Sequence, residues 1–199
     1  KKILEFPERT PLMGYYDEAD PEVIDWEIKW AVEHGINCFI YCWYRRLEDM
    51  KKPVKAEKLR CGHCIHESLL NSKYQSMMKF AIMFENSPRW GTTDSEDIID
   101  NLMPFWVENY FSRPNYLKFD NKPVLFIYHP ARLVEVFGAP ENQKAAFDAC
   151  REYARKCGFD GMIIAVHGLI RSKEQHAEYL MRGYDFQFGY TAGYTAPYD

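Results

Sequence analysis

Residues 80–86 read Phe-Ala-Ile-Met-Phe-Glu-Asn, five apolar side chains followed at once by a carboxylate and an amide. A run of this length, apolar at consecutive positions, is the pattern of a strand covered on both faces. Glu85 and Asn86 then stand at its carboxyl end, where α/β proteins carry their chemistry. The arrangement recurs along the chain. The run 36–43 closes on Trp43 and is followed by Tyr44 and Arg45. The run 124–129 closes on Tyr128 and His129, 162–167 on His167, and 186–190 on Tyr190.

Carboxylate, imidazole, amide and aromatic groups at successive strand ends suit a polyhydroxylated substrate, because rings cover the apolar faces of sugars while polar groups bind hydroxyls. A glycosidase adds two carboxyl groups, about 5–5.5 Å apart for retention or about 6.5–9.5 Å for inversion. Glu85 is the first candidate. Asp17, in Gly14-Tyr-Tyr-Asp17, is the second if its loop folds over the strand ends. Asp185 is poorer, because it lies at the amino end of its strand. Each residue also has a plainer reading: Glu85 paired with Arg89 or capping the next turn, His129 closing a loop before Pro130, and Trp43 and Tyr44 in the core or rim. Serine or cysteine nucleophiles find no support, since there is no GxSxG and Cys42 sits inside a strand.

Cys61-Gly-His-Cys-Ile-His66 offers three zinc-ligand types, but a structural zinc site normally takes four ligands, and no second knuckle is visible. The expectation is therefore no metal and no cofactor. Six cysteines, at 38, 42, 61, 64, 150 and 157, do not indicate a compartment.

The elements that must position these residues follow from periodicity. Asp20-Pro21 starts a helix with Ile24, Ile28 and Ala31 on one face, ended by Gly35. A short helix is expected over 66–74. Thr93-Asp94 caps a helix running to about 111 that Pro104 should kink or split. Asn121-Lys-Pro reads as a turn, Pro140 opens a helix ended by Gly158, and 173–182 form another. Gly35-Ile-Asn37, Gly158-Phe-Asp160 and Gly183-Tyr-Asp185 repeat a Gly, apolar, Asx pattern where helix gives way to strand.

Apolar strands alternating with helices imply a parallel sheet. Two architectures fit: a (β/α)8 barrel of the TIM type, incomplete with five good strands, or a five-stranded doubly wound sheet. The second usually carries a glycine-rich phosphate loop, and neither GxGxxG nor GxxxxGK[ST] occurs.

The chain has 199 residues, 47% of them apolar, enough for residues 1–199 to make one barrel domain or the larger part of one. A formal charge of -4 with mixed signs offers no basic field, so nucleic acid is not an expected partner. No stretch approaches the roughly 20 apolar residues of a membrane span, and KKILEFPERT lacks the apolar core of a signal peptide.

PLMGYYDEADPEVIDWEIKWAVEHGINCFIYCWYR, KFAIMFENSPRWG and YFSRPNYLKFDNKPVLFIYHP, in that order, resemble glycoside hydrolase family 99-like proteins, a group that includes the WbsX-like proteins of polysaccharide gene clusters. Residues 116–128 carry the most specific part of the likeness. The resemblance implies an α/β barrel, a glycan substrate of the mannoside-containing kind, and a sugar-binding face with Trp43, Tyr44, Glu85, Asn86 and Tyr128. On the same grounds it points to a bacterial protein acting on exported or environmental glycans, secreted or periplasmic. The family's catalytic Glu-Trp-His-Glu type motif does not occur in these residues, nor does its Tyr- and Trp-rich first strand ahead of Pro11. The expectation is the middle of a longer barrel, in which Glu85 binds or supports substrate. The alternative is a protein that binds glycan, or serves polysaccharide assembly, without hydrolysing it.

Overall fold

The computed structural model describes residues 5–168 and 172–189. Five parallel strands form one sheet in the order β1 (Cys38–Trp43), β2 (Lys79–Phe84), β4 (Lys122–Ile127), β5 (Ile163–His167) and β6 (Phe186–Phe188). The two-residue β3 (Lys118–Phe119) pairs antiparallel with the start of β4. Each parallel strand lies beside the next one in the chain. A doubly wound sheet reverses its order at a switch point, so that alternative is excluded. With right-handed crossovers, steady progress in one direction puts the connecting helices on one face, as in a barrel wall.

The helices are α1 (Pro21–Glu33), α2 (Ser95–Asp97), α3 (Met103–Trp106), α4 (Pro130–Phe137), α5 (Pro140–Lys156) and α6 (Lys173–Met181). Asp20 caps α1 by accepting the Glu22 N–H at 2.8 Å, with Pro21 in the first turn. The Gly, apolar, Asx repeats are three copies of one helix stop. Gly35, Gly158 and Gly183 all have φ between 78 and 92°. The apolar residue after each reaches back five residues: Ile36 N–H to Ala31 O, Phe159 to Ala154 and Tyr184 to Tyr179, at 2.8–3.1 Å. This is the Schellman pattern, which satisfies carbonyls that the helix end leaves open.

Pro104 neither ends nor splits its helix. Wider π-type turns, Ile98–Leu102 and Val107–Phe111, flank α3, so residues 95–111 stay continuous. Such turns shift the carbonyl register, and the proline's missing N–H and bulky ring are absorbed without a break. The helix expected over 66–74 is a π-type turn, Cys64–Ser68, followed by a 3-10 turn, Leu69–Asn71. The turn before β4 is at Asp120 and Asn121, both with positive φ, and Pro123 lies in the strand, paired with Lys118. Two left-handed residues between paired strands make the type I′ hairpin, which tolerates Asn and Asp.

Alternation gives the sheet two faces. Towards the helices, Trp106 packs edge-on against Trp43 and Phe84, with ring centres 5.4 and 5.6 Å apart. Each such pair adds about 0.5–1.5 kcal/mol to the burial of the rings. Tyr116, fully buried, accepts the Ile82 N–H and donates to Val124 O at 2.7 Å, closing the gap where β2 and β4 diverge. The opposite face carries Ile40, Cys42, Met83, Phe126 and Ala165, and Ile40 is 43% exposed.

Candidate functional site

The parallel register aligns Trp43 with Phe84, Phe84 with Ile127, and Ile127 with Val166. The residues one step on are Tyr44, Glu85, Tyr128 and His167. Their ladder continues past the strand ends, with Glu85 N–H donating to Trp43 O at 3.0 Å and Tyr128 N–H to Phe84 O at 3.1 Å. Since Trp43 and Phe84 face the helices, the next residues face the inner side. Tyr44, Glu85, Tyr128 and His167 thus form one row across four strands.

Rings flank the carboxylate on both sides. Tyr128 and His167 stack at 5.2 Å with 4° between planes, and His167 meets Phe188 at 5.8 Å. On the other side Tyr44 packs edge-on against Trp90 at 5.1 Å, and the Arg60 guanidinium lies 5.0 Å above Trp90. Glu85 itself is 6% exposed. Its Oε1 accepts the Ser87 N–H at 3.3 Å, while Oε2 is buried and has no hydrogen-bond partner. No ion pair to Arg89 forms among the described residues. A buried carboxylate oxygen left unpaired is costly, so a position like this is ready for a hydroxyl donor.

Several expected binding residues have other roles. Trp43 is buried against the helix layer, and its Nε1–H donates to Tyr110 Oη at 3.1 Å. Arg45 is also enclosed: its guanidinium pairs with both carboxylate oxygens of Asp97 and donates to Thr92 O. Residues 43 and 45 share the outward phase of the strand, so neither reaches the inner face. Asn86 spends its amide on backbone, accepting the His129 N–H at 2.9 Å and donating to His129 O at 3.0 Å. It acts as a further rung tying the end of β2 to the end of β4. His129 caps α4, a helix the sequence reading left unassigned, by accepting the Arg132 N–H at Nδ1, which leaves the ring proton on Nε2.

Asp17 accepts the Ala19 N–H at 2.9 Å and lines a cleft of about 630 Å³ with Tyr15, Tyr16, Glu18 and His63, none of them from the strand-end row. Asp185 accepts the Ile164 N–H and pairs with Arg151, holding the amino end of β6 beside β5. The expected binding residue Tyr190 lies outside the described residues.

The sequence matches the family described as Glycosyltransferase WbsX over residues 6–192. The chain belongs to the WbsX family. No curated protein matches it. Among solved structures it is similar to the GH99 endo-alpha-mannosidase from Bacteroides thetaiotaomicron, with a TM-score of 0.65 at 16% identity over 92% of this chain and 47% of that one. The same enzyme in complex with BIS-TRIS-propane gives a TM-score of 0.61 at 16% identity over 92% of this chain and 50% of that one. A glycoside hydrolase-like protein gives 0.53 at 18% identity, over 80% of this chain and 47% of that one. At such identities the likeness concerns the fold, an α/β arrangement of the TIM-barrel kind. The chain spans about half the length of these structures.

Two features of the chain were not visible in its sequence. Arg46, Glu48, Arg60, Arg89 and Trp90 line a cleft of about 290 Å³ beside Tyr44, which packs on Trp90, so three guanidiniums and one carboxylate border the row. Glu18, His63 and Cys64 also converge, with ligand atoms all within 4.8 Å of one another. Burial, and then the Glu18 charge, pushes the Cys64 thiol up to about 12, which makes it a poor nucleophile at neutral pH. Contact between residue 18 and residues 63–64 is set by folding, so spacing alone gave no signal for it. Among the described residues no helix is long and apolar enough to cross a membrane.

Proposed function

We propose that the protein acts on a glycan as a glycoside hydrolase of the family 99-like kind, and that residues 1–199 form the larger part of one barrel domain. The observation that carries this reading is the inner row, in which the unpartnered Glu85 Oε2 lies between Tyr44 and the stacked Tyr128–His167 pair. Glu85 accepts a sugar hydroxyl, Tyr128 and His167 present a flat polar-edged surface, and Tyr44 with Trp90 walls the other side. The pair of carboxyl groups that cleaves the bond comes from parts of the full-length protein beyond these strands. Mannosides are the substrate class to try first, because the similar structures are described as endo-alpha-mannosidases.

A second reading is retained on one observation. The row contains a single carboxylate among the described residues, and the family description names a glycosyltransferase. In that reading the same face binds glycan during polysaccharide assembly without hydrolysis.

The test is Glu85→Gln in the full-length protein, with calorimetric binding of α-mannan oligosaccharides and release of new reducing ends measured side by side. Loss of a charge-assisted hydrogen bond removes about 1.5–3 kcal/mol, so binding is expected to weaken about 10- to 150-fold. Wild-type binding and turnover in the variant refute the role of Glu85. Tight binding by the wild type with no reducing ends released selects the second reading.

A further inference from the structure

We propose that Glu18, His63 and Cys64, joined by Cys61, form a zinc site that pins the loop before α1 to the turn at residues 61–64, between β1 and β2. Glu18 Oε2 lies 3.6 Å from Cys64 Sγ and 3.7 Å from His63 Nε2. Tetrahedral zinc with Zn–S near 2.3 Å and Zn–N and Zn–O near 2.0–2.2 Å has edges of about 3.6 Å between O and S and about 3.4 Å between N and O. These two edges already stand within a few tenths of an ångström of zinc spacing, and all three ligand atoms lie within 4.8 Å of one another. Carboxylate, imidazole and thiol together suit a borderline cation and not magnesium or calcium, which take oxygen ligands.

The C-x-x-C spacing is an independent sign. The Cys64 N–H donates to Cys61 O at 3.2 Å, a tight turn that keeps the two residues close. Cys61 has φ 57°, an unusual conformation for a non-glycine residue, and its side chain is exposed and not held in a disulfide. What the sequence lacked was a ligand from a second segment, and Glu18 supplies it. On binding, Zn–S bonds replace S–H bonds at Cys61 and Cys64, the two thiol protons pass to solvent, and zinc keeps its oxidation state. The segment so fixed carries Asp17 and Tyr16 on the wall of the 630 Å³ cleft.

The experiment uses the full-length protein without a polyhistidine tag. Zinc content is measured by mass spectrometry of the metal, and Co2+ is titrated while thiolate-to-cobalt charge-transfer absorption is followed. Stoichiometric zinc, charge-transfer absorption, and affinity at least about a hundredfold weaker in Cys64→Ser are expected. Absence of zinc uptake by the folded wild type, or equal affinity in Cys64→Ser, overturns the proposal. If Cys64→Ser does not fold, Glu18→Gln at an exposed position decides: about tenfold weaker binding supports the site, and unchanged binding overturns it.

Discussion

Replacing Asp97 by Asn is expected to cost about 3 kcal/mol of stability, at the lower end of the roughly 3–5 kcal/mol found when one partner of a buried ion pair is removed. The side chains of Arg45 and Asp97 are 1% and 2% exposed, so water screens the pair little. Asp97 accepts the Thr93 hydroxyl at 3.1 Å and the Asn101 amide at 2.9 Å as well as the guanidinium. Asparagine keeps the volume and one acceptor but leaves the guanidinium with Thr92 O and an amide in place of an anion, which sets the estimate at the lower end. Adding Arg45→Met removes the stranded cation and is expected to restore stability to within about 1 kcal/mol of wild type. The assay is urea unfolding of the full-length protein followed by tryptophan fluorescence, with glycan affinity measured on the folded variants. Affinity is expected to stay at the wild-type level, because this pair faces the helices and not the inner row. Two results refute the reasoning: an Asp97→Asn cost below about 0.5 kcal/mol, the range of ordinary surface substitutions, or a double variant no more stable than the single one. Loss of glycan binding in Arg45→Met alone would return Arg45 to the substrate.

Two further outcomes follow from the same geometry. Asn86→Ala unpairs the N–H and C=O of His129; because His129 is only half-buried, water partly replaces the lost bonds, so about 1–3 kcal/mol is expected, not twice that. Weakened glycan binding should accompany it in calorimetry, since the β2 and β4 ends that space Glu85 from Tyr128 lose one of their ties; unchanged stability and binding would count against the rung. His66 Nε2 lies 2.8 Å from Tyr110 Oη, and burial first, with the Arg113 charge second, holds its pKa below the usual value. The unfolded imidazole takes up its proton near pH 6.5, so the stability owed to the neutral ring is complete above about 6.5 and is lost as pH falls below it. Urea midpoints measured from about pH 8 to about pH 5 should therefore fall more steeply in wild type than in His66→Gln, and parallel curves would refute this.

The local punctuation of the fold was legible because it is local physics. Gly35, Gly158 and Gly183 each announce a helix stop, since few other residues adopt positive φ readily, and the apolar runs at 80–84 and 124–127 announce buried strands. The split expected at Pro104 does not occur because a proline's effect depends on whether the turns around it can widen, and α4 went unassigned because it is only eight residues long. At the site, the sequence by itself determined that Glu85, Tyr128 and His167 stand at strand ends, with Tyr44 just past one. Which of the strand-end residues face inward was decided only by the tertiary structure, through the phase of each strand against the helix layer. That phase turns Trp43 and Arg45 outward, while the chain path commits Asn86 to the backbone of His129, 43 residues away, and brings Glu18 to His63 and Cys64. Contacts between distant segments depend on register and chain path, and neither is encoded in the spacing of residues along a single segment.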